Sequence, residues 1–445
     1  MNSKIPQKKI QLVSFDGGFK STTILQTPDK YRNLKSKNID VNLIPRGAGL
    51  SYTAASFGNG TTSISTKFFN RILGFDNDKK QVKVESGITL RELYQFLIKH
   101  QYYLKVQPGC SFISIGGCIA ADVHGKNPFL DGTFLSQVVS LNLFHPMHGE
   151  IELSRDKNPE IFYLTCGGYG LTGIILSVVL QASKLTSSIV KTDLLFYDSF
   201  MDGVNLLKDN SLNNDFTYSW NNFSLGAQSI DSGIIFRGNI KNNLIFNDKE
   251  LRYPLISSDR RPHLTFNMFK SFVPKLSNNL YEYINSKKLV RFDTIYDSLY
   301  AAERNFMYFR MYGTKGFHEY QALLPEDSID EYHQSVKHLS KKYKIPITLA
   351  VLKNFNGKRS YLKFDGDGFG LSINIPRNNI SAKMLFELDG ILIYLGGWPN
   401  IIKDSRLSQQ CIEAAYPEYS LFKKKLHEFD PKRIFKSELS ERVGL

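Results

Sequence analysis

The sequence predicts an α+β protein, with a glycine-rich, strand-bearing first half and a second half built on an antiparallel sheet with flanking helices. Three observations carry this. Three glycine clusters, each after a strand-like run, fall within residues 45–173. From about residue 186 the glycine motifs thin out and strands alternate with longer amphipathic segments. Finally, 445 residues exceed one ordinary core, while 42% hydrophobic and 13% aromatic content can fill sizeable cores and excludes a disordered chain.

Residues 41–45 read as a strand ending in a turn at 46–49, and 81–85 alternate as a strand. Residues 89–100 carry Leu90, Leu93 and Leu97 on one helical face, with Thr89 as N-cap and Glu92 completing a capping box. Residues 136–144 and 149–153 flank His145, Pro146, Met147 and His148 as a hairpin, and 171–180 read as a buried strand. In the second half, 328–343 form the clearest helix, with Ile329, Tyr332, Val336 and Leu339 on one side. Residues 316–324, 347–353 and 369–375 read as strands of a second sheet. The tail from Lys403 is helical and carries DPKRIF at 430–435.

Fifty-six Lys and Arg against 42 Asp and Glu leave a formal charge of +14. A solvated, lysine-rich surface accounts for it. Nucleic acid is not expected, because no basic run exceeds residues 423–425 and no nucleic-acid module is visible. An anionic membrane surface or a phosphorylated substrate stays open. The longest apolar stretch, 171–180, is broken by Thr172, Gly173 and Ser177 and falls short of the roughly 18–20 residues a spanning helix needs. The N-terminal segment carries charge with no apolar signal region behind it, which predicts a soluble chain that starts in the cytoplasm. The four cysteines, Cys110, Cys118, Cys166 and Cys411, form no CxxC pair, so neither a disulfide framework nor a zinc site is expected.

The glycine clusters are PRGAGLSY (45–52), PGCSFISIGGCIAADVHGKN (108–127) and GGYGLTG (167–173). Glycine admits positive φ and lets backbone N–H groups approach a phosphate. No P-loop ending and no GxGxxG opening a helix are present, which argues against a nucleotide triphosphatase or a Rossmann site. The pattern suits a long cofactor gripped at several points. His145 and His148 have a spacing that can hold a metal, but no third ligand is near and no metal is expected. No GxSxG elbow anchors a hydrolase.

Residues 45–52, Gly109, Gly116, Gly117, 124–127 and 167–175 together resemble the FAD-binding (PCMH-type) domain of the vanillyl-alcohol-oxidase/para-cresol-methylhydroxylase superfamily. Within it they are most similar to the decaprenylphosphoryl-β-D-ribose 2′-oxidase group. The segment 119–127 is the most specific element. Residues 403–406, Tyr416, Pro417 and 430–435 form a second match, and Trp220, 311–313, Gly316, Phe317, Tyr320 and Gln321 are islands between. The resemblance spans nearly the whole chain and is weakest over 186–300. It implies a two-subdomain FAD-binding domain over 1–185, a substrate domain over 186–400, and a tail, 401–445, returning to the flavin site.

The same resemblance implies site roles. Backbone groups of Arg46, Gly47, Ala48, Gly49, Leu50, Ser51 and Tyr52 would cradle the pyrophosphate, continued by Gly109, Ser114, Ile115, Gly116 and Gly117. Ala121, Asp122, Val123 and His124 would line the isoalloxazine, with Ile174 at the adenine end and Asn400 at a flavin-contacting position. Leu50 stands where many relatives carry a flavin-linked histidine, so FAD is expected to be non-covalent; Cys118 reads as a small packed residue. Lys403, His124 and Tyr312 are the candidate catalytic residues, Lys403 as a fixed cation where negative charge develops. Lys126, Gln321, Lys353, Ser372 and Trp220 are candidate substrate contacts. Three departures bear on the substrate: Ser372 replaces a cysteine, Glu319 a glutamine and Asn400 a tyrosine.

The expected function is FAD-dependent oxidation of a secondary hydroxyl of a sugar, phosphorylated or polyprenyl-phosphorylated, by hydride transfer to flavin. A sugar-lactone or alditol oxidase of the same superfamily is the alternative. A basic nucleic-acid- or membrane-binding protein with a vestigial flavin fold is the alternative from another class. The resemblance also implies a short-chain reductase partner giving net epimerisation, and a cytoplasmic location with peripheral contact at the inner membrane face.

Overall fold

The computed structural model describes residues 5–34, 42–223, 231–240, 264–269 and 272–445. It is a mixed α/β architecture whose sheets are mainly antiparallel. In the first sheet, strands Gln7–Val13 and Lys20–Gln26 pair antiparallel, and Thr62–Ser65 joins Lys20–Gln26 and Leu43–Arg46 in parallel. A second sheet runs in the order Ile72–Asp76, Gln81–Glu85, Ile174–Gln181, Val138–His145, Gly149–Ser154, antiparallel throughout.

Local chemistry explains where these elements start and stop. The helix Leu90–Leu97 opens on the expected capping box: the Glu92 N–H donates to Thr89 Oγ1 at 3.2 Å, and the Thr89 N–H to Glu92 Oε2 at 2.8 Å. Leu90, Leu93, Tyr94 and Leu97 form its buried face, and Ile98–His100 tighten into a 3₁₀ turn. The strand expected over 41–45 is Leu43–Arg46; Val41 lies outside the described residues. The strand expected from residue 171 begins only at Ile174, because Gly173 adopts φ +136° and a Cβ there would stand 2.5 Å from the Phe144 carbonyl. At the hairpin tip, the buried His145 ring lies 3.7 Å from the Asp430 carboxylate and His148 stacks on Phe429 at 4.6 Å, so the tip docks the tail.

The second half is one eight-stranded antiparallel sheet in the order Val290–Thr294, Ile189–Tyr197, Gly233–Ile240, Phe216–Asn221, Leu349–Asn356, Asp367–Pro376, Phe317–Leu324, Trp398–Pro399. Helices Phe200–Ser211, Ile329–Tyr343 and Asn379–Tyr394 cover one face. Ile329, Tyr332, Val336 and Leu339 pack there as their spacing requires. The sheet contributes alternate residues to that core: Tyr320, Ala322 and Leu324; Ala350 and Leu352; Leu371, Ile373 and Ile375. The intervening residues therefore face the other way.

The tail forms helices Gln409–Ala415, Tyr419–Phe429 and Glu438–Arg442. Between the last two, the Leu43 N–H donates to the Ile434 carbonyl at 2.7 Å and the Lys436 N–H to the Leu43 carbonyl at 2.8 Å. The DPKRIF segment thus lies beside the strand that feeds the first glycine turn. No helix among the described residues is long and apolar enough to cross a membrane.

Candidate active site

The face of the large sheet turned away from its helices looks onto a cavity of about 430 Å³, closed on its other sides by the three glycine clusters and by residues 400–403. Three paired strands supply its floor by period-two alternation: Glu319 and Gln321, then Ser372 and Asn374, then Val351 and Lys353. Register sets their order, with Gln321 opposite Ser372 and Ser372 opposite Val351. A one-residue slip would exchange this polar set for core residues.

Facing the floor is the short helix Ile115–Ala121, capped by Ser114, whose Oγ accepts from the Gly117 N–H at 3.3 Å. Gly116, Gly117, Ala120 and Ala121 line the cavity, while Ile115, Cys118 and Ile119 point into the core. At Gly47 a Cβ would stand 2.0 Å from Ser114 Oγ, so the first glycine turn lies directly on the second cluster. Asp122 ends the helix in the left-handed region; its carboxylate accepts from Thr133 Oγ1 and the Leu135 N–H at 3.0 and 2.8 Å.

A hydrogen-bonded chain crosses the floor. Asn400 Nδ2 donates to Gln321 Oε1 at 2.7 Å, and Gln321 Nε2 lies 2.9 Å from His124 Nε2. With the amide turned this way, Nε2 accepts and the imidazole proton sits on Nδ1. His124 Nδ1 is 3.2 Å from Lys353 Nζ, which also contacts the Gly125 carbonyl at 2.7 Å. Burial, then the ammonium groups of Lys353 and Lys403, hold His124 well below its ordinary value, leaving a neutral ring at pH 7. Burial, with Lys126 and Lys403 nearby, likewise holds Lys353 well below the ordinary lysine value. Burial pushes Lys126 down to about 8.

At the mouth, Lys403 Nζ pairs with Glu319 Oε1 at 2.8 Å and lies 4.3 Å from the Tyr52 ring centroid. The turn carrying Lys403 is pinned from behind: Arg406 pairs with Asp389 and Asp404, and Ser405 shares the buried Asp16 carboxylate with Arg377. Burial, then Glu319, pushes the Tyr52 phenol well up, so it stays neutral.

Of the expected site residues, the cavity brings together Gly47, Ala48, Gly49, Leu50, Ser51, Tyr52, Gly109, Ser114, Gly116, Gly117, Ala121, Asp122, Val123, His124, Lys126, Gln321, Lys353, Ser372, Asn400 and Lys403. Five side chains lie elsewhere. Arg46 turns back to Ser56 Oγ at 2.8 Å, since alternation gives the cavity Pro45 and Gly47 instead. Ile115 is on the core face of its helix. Ile174 packs with Leu43, Phe144 and Phe435, leaving Gly173 and Ile175 to line the wall. Trp220 shares a strand face with the wall residue Tyr218 but sits two residues further on, packed on Tyr281 at 4.9 Å. Tyr312 is fully buried behind the wall with its hydroxyl against Tyr308 and Thr348. Asn374 and Val351 were not foreseen, although stepping by two from Ser372 and Lys353 reaches both. Cys110 and Phe309, also in the wall, carry no comparable sequence signal.

The cavity fits an extended dinucleotide. All three glycine clusters open onto it with backbone and small side chains, and His124, Gln321, Lys353 and Asn400 form a connected polar chain on its floor. Comparison agrees: residues 34–153 match the FAD binding domain family. The chain carries an FAD-binding domain of PCMH type and is an FAD-dependent oxidoreductase. It is 27% identical over 422 residues to decaprenylphosphoryl-β-D-ribose oxidase of Mycolicibacterium smegmatis, covering 91% of this chain and 89% of that one. It is 34% identical over 142 residues to L-galactono-1,4-lactone dehydrogenase 1 of Oryza sativa, covering 31% of this chain and 24% of that one. With L-gulonolactone oxidase of Mus musculus it shares 36% over 112 residues, a quarter of each chain. An intact flavin domain and cavity leave the vestigial-fold reading without support.

Proposed function

We propose that the protein oxidises a secondary hydroxyl of a sugar carrying a phosphate or polyprenyl phosphate, as in a 2′-oxidase. The observation that carries this is the pair of lysines Lys126 and Lys403 converging on one cavity, with the Glu319 carboxylate paired to only one of them. An ammonium group is a point-charge contact for phosphate. The ribose oxidase relative, similar over most of both chains, supports the same substrate class. Bound FAD would accept the hydride from the carbinol carbon. Gly47, Gly49, Gly116 and Gly117 would hold the pyrophosphate in a cradle shared by two subdomains, one for each of the two larger sheets of the first half. With Leu50 in the first glycine turn, no side chain there can form a histidyl link, and FAD is held non-covalently.

The remaining roles fall to residues on the floor and at the mouth. His124 and Lys353, both held toward their neutral forms and in contact with each other, provide a proton acceptor for the hydroxyl. Lys403 supplies a fixed cation, oriented by Glu319 and Tyr52. A short-chain reductase that consumes the keto product would complete an epimerisation. The lactone-oxidase reading is favoured by the relatives matched over the first part of the chain alone. Anaerobic mixing with a panel of phosphorylated pentoses, polyprenyl-phosphoryl sugars, free polyols and aldonolactones separates the two. Flavin reduction by the phosphorylated members supports the proposal, and reduction only by free polyols or lactones refutes it.

A further inference from the structure

The helix Phe272–Ser286 exposes most of its large apolar side chains. The side turned to the protein carries the buried Pro274, Asn278 and Asn285, with Tyr281 against Trp220. The side turned to solvent carries Phe272, Leu276, Leu280, Tyr283 and Ile284, each between 53 and 67% exposed. Successive spacings of four, four, three and one keep these five within about one third of the helix circumference. Leu289 and Phe292, just beyond the helix, are also exposed. A contiguous exposed apolar surface rimmed by polar groups marks a place where another phase or molecule is met.

The rim is basic. Between residues 272 and 293 stand Lys275, Lys287, Lys288 and Arg291 against Glu282 and Asp293. Glu282 is engaged by the Asn222 amide at 3.1 Å. The surface is also continuous with the active site. Val273 packs against the buried cluster of Phe269, Tyr312 and Phe317, against which the cavity-lining Tyr52 and Phe309 also pack. Met268, whose N–H donates to the Met311 carbonyl at 2.8 Å, and Met307 are exposed as well.

We infer that this helix docks the protein on an anionic lipid bilayer, its apolar stripe entering the headgroup–acyl boundary and its lysines meeting acidic headgroups. An apolar face with a cationic margin is the complement of such a surface. The cluster beneath would place the cavity beside the membrane. The docking stands on this surface alone and does not depend on the sugar assigned to the cavity.

Co-sedimentation of the FAD-loaded protein with phosphatidylcholine vesicles and with phosphatidylcholine–phosphatidylglycerol vesicles, none containing sugar lipid, tests it. The protein should sediment with the mixed vesicles and only weakly with phosphatidylcholine alone. Leu276→Glu/Leu280→Glu should lower binding at least ~tenfold with unchanged flavin occupancy and melting temperature. Should that variant misfold, Leu276→Ser/Leu280→Ser carries the same expectation. Lys287→Ala/Lys288→Ala should remove most of the preference for anionic lipid. Absence of sedimentation with either vesicle overturns the inference, as does a stripe variant that binds like wild type. A dimer in solution that the stripe variant dissociates, without vesicle binding, also overturns it and assigns the face to a second copy of this chain.

Discussion

Lys403 and Glu319 form an ion pair at the cavity, Nζ to Oε1 2.8 Å, with the Tyr52 ring 4.3 Å from the ammonium. The pair joins the turn after the last sheet strand to the sheet floor. Asp16, Asp389 and Asp404 hold that turn from the opposite side through Arg377 and Arg406. The cation is thus fixed before any substrate arrives, and a preorganised charge of this kind contributes most where charge develops during reaction.

Lys403→Ala should keep FAD bound while slowing anaerobic flavin reduction by on the order of 10²–10³. Lys403→Arg should recover only part of the rate, because a planar guanidinium does not occupy the place of a compact ammonium between Glu319 and Tyr52. Single-turnover absorbance with flavin occupancy checked beforehand measures both. An alanine variant at wild-type rate would show Lys403 to be a structural end of the turn.

Glu319→Gln should release Lys403 for the substrate and remove a carboxylate that opposes an anion. The pair is partly exposed, so the effect is modest, roughly 1 kcal/mol or about fivefold tighter binding of a phosphorylated sugar. Equilibrium titration of the oxidised protein reads it; weaker binding in the variant would mean that Glu319 contacts the sugar directly.

Affinity for an anionic sugar should fall as pH rises above about 8. Burial holds the Lys126 ammonium at about 8 in the free protein, and a bound anion raises that value. Between the two values binding must take up a proton, so affinity drops as pH rises through the window. In Lys126→Arg the guanidinium stays charged and the profile should flatten. An unchanged profile would move the titration to another group.

Tyr312→Phe should leave the flavin reduction rate within about twofold and lower stability by roughly 1 kcal/mol, since its hydroxyl bonds Tyr308 and Thr348 in a dry cluster. Thermal melts and single-turnover kinetics on one preparation check both. A large rate loss at wild-type stability would return Tyr312 to the site.

How far the sequence could be read depended on the kind of signal. Thr89 and Glu92 announce their helix because a cap is a local contact. The glycine clusters announce the cradle because positive φ and close approach leave few alternatives to glycine. Gln321, Ser372 and Lys353 could be placed in one site because three strands present them on one face. Trp220 and Tyr312 could not be placed, since their distance from the cavity follows from how the helix Phe272–Ser286 and the segment 306–312 pack, which no local pattern records. Ile174 stands one residue from Gly173 and Ile175, which do line the cavity, an error of facing rather than of location.

Anaerobic reduction of the bound flavin by a polyprenyl-phosphoryl pentose, run with protium and with deuterium at the 2′ carbon, decides whether hydride leaves that carbon. If a secondary hydroxyl is oxidised by hydride transfer at that carbon, the flavin bleaches with both and several-fold more slowly with the deuterated sugar. Acid should then release the flavin without proteolysis. Bleaching at equal rates with the two sugars, or no bleaching by any phosphorylated pentose, would contradict it.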